Sequence, residues 1–177
     1  MKVLALVGSI RENSIHRSLF ETYKGISQDF FELEEGVIET IPMYKGNDNE
    51  PSVVELSKQI INADAILFFS PEYNYSVSGV LKNTIDCLSR LDPQPFEGKP
   101  AAIIGASPGS IGTARMQYHL RQIGVPLNIH FLNKPEVMIS NAMTKFVSGK
   151  LTDAKSLSFL LLHAQIFREF TMTFREI

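Results

Sequence analysis

The chain has 177 residues, of which 44% are hydrophobic and 20% are charged, and its 17 basic and 19 acidic residues give a net charge of −2. This composition is typical of globular proteins and the length is typical of one domain, so we expect a single domain over residues 1–177. The absence of a Lys/Arg-rich stretch argues against a nucleic-acid backbone as the main partner.

Neither a secretion signal nor a membrane span is predicted. The apolar run at 3–7 is too short for the core of a signal peptide, and no stretch of about 18 apolar residues occurs. The single cysteine, Cys87, cannot form an internal disulfide, which suits a reducing compartment. We therefore expect a soluble cytoplasmic protein with no membrane partner.

Short apolar runs alternate with segments of helical periodicity along the chain. Continuous apolarity in the runs at 3–7, 65–69 and 101–106 is typical of parallel strands that are covered on both faces. With two weaker patterns added, the predicted strands are 2–8, 31–38, 65–70, 99–106 and one within 128–139. The predicted helices are 14–27, 52–62, 77–90, 112–123 and 153–170.

This alternation predicts a doubly wound α/β fold with a five-stranded parallel sheet and helices on both faces. For the second helix we expect a capping box in which Ser52 begins the helix and Glu55 reaches back to it. In such a sheet, ligands bind beyond the carboxyl ends of the strands. The loops that follow the first, third and fourth strands are therefore the candidate site.

The loop after the first strand combines Ser9, Arg11 and Ser14 with the start of a helix. Hydroxyls, a guanidinium and free helix N–H groups together form a phosphate-binding site. The alternative is that Ser14 merely caps the helix and that Arg11 is solvated.

The loop after the third strand carries Tyr73, Asn74 and Tyr75, which could flank a planar ring and hydrogen-bond its polar edge. The alternative is a rigid loop with two surface tyrosines. The loop after the fourth strand contains Gly105, Gly109 and Gly112, which allow close approach to a ligand or serve turns only.

Several other classes of site have no support in the sequence. The dinucleotide fingerprint G-x-G-x-x-G, the phosphate loop G-x-x-x-x-G-K-[ST] and the hydrolase motif G-x-S-x-G are absent. The four histidines lack metal-ligand spacing, so no metal site is predicted. Cys87 lies on the apolar side of a predicted helix, where we expect a buried, unreactive thiol.

The three loops resemble the NAD(P)H-dependent FMN reductases, with the bacterial chromate and quinone reductases as the most similar branch. The resemblance implies a flavodoxin-like fold with strand order 2-1-3-4-5, non-covalently bound FMN, and NADPH or NADH as co-substrate. It rests on three motifs: Gly8-Ser9-Ile10-Arg11 with Ser14; Pro71-Glu72-Tyr73-Asn74 with Ser76 and the run 79–86; and Phe96, Gly98-Lys99-Pro100 and Ser107-Pro108-Gly109.

The resemblance also implies which residues bind FMN. Those assigned to the phosphate are Ser9, Ile10, Arg11, Ser14, Ile15 and His16. Those assigned to the isoalloxazine ring are Pro71, Glu72, Tyr73, Asn74, Tyr75, Ser107 and Gly109.

The chain departs from the family's usual residues at three positions. His16 replaces Asn, and we expect it to make FMN binding sensitive to pH, because an ordinary histidine titrates near pH 6.5. Ser78 replaces Pro, which we expect to loosen the loop slightly. Cys87 replaces Trp, which affects packing more than chemistry.

The implied activity is reduction of quinones, chromate or similar small-molecule acceptors by a ping-pong, two-electron mechanism, with no side chain as an obligate acid or base. One alternative is a flavodoxin-like electron carrier without nicotinamide activity, although a net charge of −2 is low for such a carrier. Another is a binding module that has lost the cofactor.

The family forms dimers and often tetramers, so the resemblance implies a homodimer or homotetramer. The candidate interface residues are Tyr75, Arg115, Tyr118 and Glu136. We expect an Arg115–Glu136 pair between subunits; the alternative is that these two surface residues never meet.

Overall fold

The computed structural model describes residues 1–46 and 50–174. At its centre lies a parallel sheet whose strands run in the order β2-β1-β3-β4-β5, with β6 also paired to β4. This order confirms the predicted flavodoxin-like, doubly wound fold. The strands are β1 (Lys2–Val7), β2 (Glu32–Gly36), β3 (Ala65–Phe69), β4 (Pro100–Ala106), β5 (His130–Phe131) and β6 (Val137–Ile139).

The fifth position of the sheet differs from the expected single strand within 128–139. Here β5 pairs with the start of β4, and β6 pairs with its end, from Ile104 to Ala106. The segment between them contains Pro135, which has no N–H to donate to a ladder. The prediction of a single fifth strand was therefore wrong, because two short strands fill the edge position.

The described residues form five α-helices, each at its predicted place with ends shifted by at most two residues. They are α1 (Ile15–Ser27), α2 (Pro51–Asn62), α3 (Gly79–Leu88), α4 (Ala114–Gly124) and α5 (Ala154–Met172). None of the helices in residues 1–46 and 50–174 combines the length and apolarity that a membrane crossing requires.

The helices cover the two faces of the sheet, and β1 supplies both cores. Its odd residues, such as Val3, pack with α1 and α5, whereas its even residues, such as Leu4, pack with α2, α3 and α4. This is the period of two that a strand imposes on its side chains. Cys87 belongs to the second core and is 3% exposed, which confirms the prediction of a buried thiol.

The expected capping box at the start of α2 was wrong. The N-cap of α2 is Glu50, followed by Pro51, and Ser52 instead donates its hydroxyl to the Thr40 carbonyl at 3.2 Å. Ser78 caps α3 by accepting a hydrogen bond from the Leu81 N–H. A serine at this position therefore fixes the start of α3.

A hairpin absent from the sequence prediction connects β6 to α5. Its strands are β7 (Phe146–Val147) and β8 (Lys150–Leu151), and a 3-10 turn at Ala142–Thr144 precedes it. Leu151 packs in the same core as α1 and α5. The hairpin thereby fixes this turn at the carboxyl edge of the sheet.

Candidate functional site

The carboxyl ends of β1, β3 and β4 bring the three candidate loops together. Backbone bonds continue past the strands: Gly8 N–H donates to the Phe69 carbonyl at 2.8 Å, and Ser70 N–H to the Ile104 carbonyl at 3.1 Å. Between the loops lies a pocket of about 330 Å³. The predicted site residues that line it are Ser9, Arg11, Ser14, Ile15, His16, Pro71, Glu72, Tyr73 and Ser107.

Four predicted residues do not line this pocket. Ile10 lines an adjoining cavity of about 410 Å³, which shares Ser9, Arg11 and Tyr73 with it. Asn74, Tyr75 and Gly109 lie in the loops around it. Another cavity, of about 570 Å³, is formed mainly by β6 and α5 and contains none of the predicted FMN-binding residues.

The β1–α1 loop presents polar groups that the described protein does not use. Ser14 caps α1, and its hydroxyl oxygen accepts from the N–H groups of His16 and Arg17, which leaves its own hydrogen free to donate. Ser9 is 4% exposed, and within the described residues neither its hydroxyl nor the Arg11 guanidinium has a partner. The capping interpretation of Ser14 is thus confirmed, while Ser9 and Arg11 remain available for an anion.

His16 forms part of the pocket wall. Its Nε2 accepts a hydrogen bond from the Ala106 N–H at 3.2 Å, and it also hydrogen-bonds the Ser70 backbone. Burial lowers the pKa of His16 to about 4. The expectation of titration near pH 6.5 was therefore wrong, because the imidazole is neutral throughout the range in which an ordinary histidine changes charge.

The β3–α3 loop contains a tight turn from Tyr73 to Ser76. These two residues exchange backbone hydrogen bonds of 3.0 Å each, and Asn74 and Tyr75 between them have φ angles of +50° and +66°. Within the described chain, no group accepts from the backbone N–H of Asn74 or Tyr75. The turn therefore presents two adjacent donors, together with the exposed rings of Tyr73 and Tyr75.

Helix α4 packs against this turn through charged contacts. One Glu72 carboxylate oxygen accepts from the Met116 N–H at 3.0 Å, and the other lies 3.7 Å from the Arg115 guanidinium. That guanidinium also lies 4.0 Å from the centre of the Tyr75 ring, within the range of a cation–π contact. The Glu72 side chain is thus bound to α4 in the chain itself.

The β4–α4 loop is held by backbone hydrogen bonds from the segment that follows β6. Asn141 N–H donates to the Gly109 carbonyl and Ala142 N–H to the Ser107 carbonyl, both at 3.0 Å. This places the exposed side chain of Met143 in the pocket wall. No sequence motif marks Met143, since only tertiary contacts bring it to the site.

Three further lining residues, which were not among the predicted site residues, are Asn13, Ala106 and Pro108. All three lie beside or within the quoted motifs, so position next to a motif residue could have identified them. Of the three glycines, Gly105 and Gly112 are required by packing: an added Cβ would lie 1.9 Å from the Thr113 hydroxyl and 2.8 Å from the Met138 carbonyl carbon, respectively.

The four candidate interface residues form two groups within the chain. Arg115 contacts Tyr75 and Glu72, as described above. Glu136 instead lies 3.5 Å from the Tyr118 hydroxyl and 4.0 Å from the Arg121 guanidinium. The chain therefore contains no Arg115–Glu136 pair among its described residues.

The fold and the three loops at the carboxyl edge of its sheet define a flavodoxin-like protein. A family model described as NADPH-dependent FMN reductase matches residues 1–144. The chain belongs to this family.

Named relatives cover nearly the whole chain. An NAD(P)H-dependent FMN reductase of Pseudomonas aeruginosa is 48% identical over 161 residues, which cover 88% of this chain and 87% of that protein. A quinone reductase of Escherichia coli is 40% identical, covering 96% and 95%. Among solved structures, the flavoenzyme NAD(P)H:(acceptor) oxidoreductase FerB of Paracoccus denitrificans has a TM-score of 0.89 at 32% identity, covering 97% of both chains.

Proposed function

We propose that the protein is an FMN-dependent NAD(P)H oxidoreductase that reduces quinones. The observation that carries this proposal is the group of unused donors at the carboxyl edge of the sheet: the Ser9 hydroxyl, the Arg11 guanidinium and the N–H groups of Asn74 and Tyr75. Family membership and the names of the relatives support the same activity.

The first loop fits a phosphate. The Ser9 side chain is 4% exposed and lies beside the start of α1, and within the described residues its hydroxyl has no protein partner, so it can donate to an anion placed there. Arg11 supplies a bidentate cation. In this proposal Ser9, Arg11 and Ser14 hold the phosphate, while Ile10, Ile15 and His16 shape the surrounding wall.

The second loop fits a planar ring with polar edges. The free N–H groups of Asn74 and Tyr75 can donate to ring carbonyl or nitrogen atoms, whereas the Tyr73 N–H is occupied by the Ser76 carbonyl. Backbone donors fixed in this way stabilise negative charge on a ring without moving during the reaction.

The loop after β4 completes the ring site. Ser107 and Gly109 are fixed by their backbone bonds to the 139–142 segment. Pro71 and Ser107 line the same pocket, so both are available to contact a ring bound there.

Bound FMN would supply the redox chemistry: it can accept a hydride from NADH or NADPH and can pass two electrons to a quinone, chromate or a similar acceptor. The two half-reactions would follow each other in a ping-pong mechanism. The chain's own residues bind and orient the reactants at the open mouth of the pocket. His16 is neutral and already engaged by backbone groups, so it does not serve as a proton donor.

We further propose that the enzyme is cytoplasmic and assembles as a homodimer or homotetramer. The single, buried cysteine supports a reducing compartment. The exposed side chains of Tyr75 and Tyr118 support an interface at α4, where Arg115 of one subunit would meet Glu136 of another.

The test is anaerobic rapid mixing of the purified protein with NADPH, followed at the flavin absorption band. A yellow protein that bleaches and is reoxidised by a benzoquinone supports the proposal. A yellow protein that does not bleach with NADPH or NADH indicates an electron carrier, and a colourless protein that takes up no FMN indicates a binding module. A panel of acceptors with both nucleotides then ranks quinones against chromate.

A further inference from the structure

The turn from Tyr73 to Ser76 is joined to helix α4 by a contact with His119, a residue outside the family motifs discussed above. The Ser76 hydroxyl oxygen lies 2.8 Å from Nδ1 of His119. The two residues are 43 positions apart in sequence. The contact therefore connects the last residue of the turn to a helix that packs on the sheet independently.

The turn needs such support because its backbone is strained. Asn74 and Tyr75 both lie in the left-handed region, which side chains other than glycine rarely adopt. Residues held in this region persist only where the surrounding structure fixes them. Two reciprocal backbone bonds close the turn, but they do not fix its position against the rest of the protein.

Helix α4 provides a rigid support for the turn. Met116 and Leu120 are fully buried against the sheet, which fixes the helix in place. Arg115 and His119 are four residues apart and hence one turn apart on the same side. Arg115 covers the Tyr75 ring, and His119 holds the Ser76 hydroxyl, so the helix contacts both the middle and the end of the turn.

We infer that His119 is a positioning residue that, through Ser76, holds the donor groups of the turn in place for the flavin ring. This inference rests on the proposed function. The imidazole does not line the candidate pocket or the cavity that adjoins it. It acts by fixing where the N–H groups of Asn74 and Tyr75 point.

The first experiment compares FMN with lumiflavin, which has the ring but no phosphate, in titrations of the apoprotein of the full chain. We expect His119→Ala to raise both dissociation constants by the same factor, about 3- to 10-fold, as the loss of one hydrogen bond predicts. His119→Asn should restore binding, since the Asn amide oxygen can take the place of Nδ1. His130→Ala is the matched control, because His130 is exposed at the opposite end of the sheet.

A double-mutant cycle tests whether His119 affects flavin binding through the Ser76 hydroxyl. If His119 acts through the Ser76 hydroxyl, Ser76→Ala alone should give the same loss, and Ser76→Ala with His119→Ala should add nothing further. Additive losses would overturn this route. An His119→Ala variant that binds lumiflavin as tightly as the His130→Ala control would also overturn the inference.

The remaining outcomes separate this inference from general effects. A lowered melting temperature of the apoprotein in His119→Ala, with no rescue by His119→Asn, would indicate a role in folding and contradict the inference. Wild-type protein that binds neither FMN nor lumiflavin would overturn the proposed function and this inference together. Wild-type protein that binds both, with no change in the variants, would overturn the inference alone.

Discussion

The hydroxyl of Tyr23 in α1 lies 2.7 Å from Nδ1 of His163 in α5, and both side chains are at most 1% exposed. Burial raises the pKa of Tyr23 well above its ordinary value and lowers the pKa of His163 to about 3. Both groups are therefore neutral at pH 7. This bond pairs two polar groups inside an otherwise apolar core.

Replacing Tyr23 by Phe should lower the free energy of unfolding by about 1–3 kcal/mol, because the buried His163 loses its partner. Urea unfolding at pH 7.5 measures the change. The matched control is Tyr44→Phe, since Tyr44 is 40% exposed and its change should stay within about 0.5 kcal/mol. Equal effects of both variants would contradict the role assigned to the bond.

Acid should destabilise the protein through its buried histidines. The folded-state pKa of His163 is about 3 and that of His16 about 4, below the unfolded value of about 6.5. The stability that they contribute is thus present above pH 6.5 and is lost as the pH falls toward these lower values. Between the unfolded and the folded pKa, each histidine should lower the free energy of unfolding by up to about 1.4 kcal/mol for each unit by which the pH falls.

Unfolding of wild-type protein and of His163→Phe at several pH values between 7.5 and 5 measures this effect. The advantage of the wild-type protein should shrink as the pH falls, because the variant lacks one titrating group. A constant difference across that range would show that His163 binds no extra proton on unfolding.

Replacing each of two glycines by alanine should change the stability of the protein in opposite directions. In Gly105→Ala the new methyl group would overlap the buried Thr113 hydroxyl, so we expect a loss of about 1–3 kcal/mol. In Gly25→Ala nothing lies within 4 Å of the new methyl group, and α1 should gain about 0.5–1 kcal/mol. Thermal unfolding of both variants is the measurement, and a stabilised Gly105→Ala would contradict the packing described for β4.

Arg11→Ala should weaken FMN binding by about 1.5–3 kcal/mol, the usual contribution of a charged hydrogen bond, and leave riboflavin binding nearly unchanged. Fluorescence titrations of the apoprotein with both ligands measure this difference. Arg90→Ala is the matched control, because Arg90 is exposed and packs on Tyr44 instead. An equal loss of affinity for FMN and riboflavin would show that Arg11 does not contact the phosphate.

Arg115→Ala tests the proposed assembly. We expect light scattering to show a shift toward the dimer, since a symmetric interface repeats each contact, and the acceptor KM to change. Glu136→Gln should shift the mass in the same way if the two residues pair between subunits. Arg115 also contacts Tyr75 within its own chain, so a changed KM with unchanged mass in both variants would assign its effect to that contact.

The sequence predicts the parts of the fold that carry strong local patterns. Continuous apolarity identified β1, β3 and β4, whereas the pattern of β2 was weak because three of its five residues are glutamates. The split of the fifth strand and the β7–β8 hairpin were missed, since strands of two or three residues carry no recognisable period. The strand order came from the resemblance rather than from periodicity.

The motifs found most of the pocket, because its walls are the loops at the strand ends. They did not identify the contacts of Glu72, Ser76 and Met143, which depend on residues more than 30 positions away in sequence. The altered pKa of His16 was also missed, because burial is a property of the fold and not of the neighbouring sequence.

The two lateral borders of the sheet are poor templates for another polypeptide. On one side, β2 carries Glu32, Glu34 and Glu35, so a strand added there would meet a row of negative charges. On the other side, the interruption between β5 and β6 leaves ladders of only two and three residues. Long, flat, uncharged borders promote aggregation by strand addition. The broken fifth strand therefore offers a strand of another chain no continuous edge to pair with.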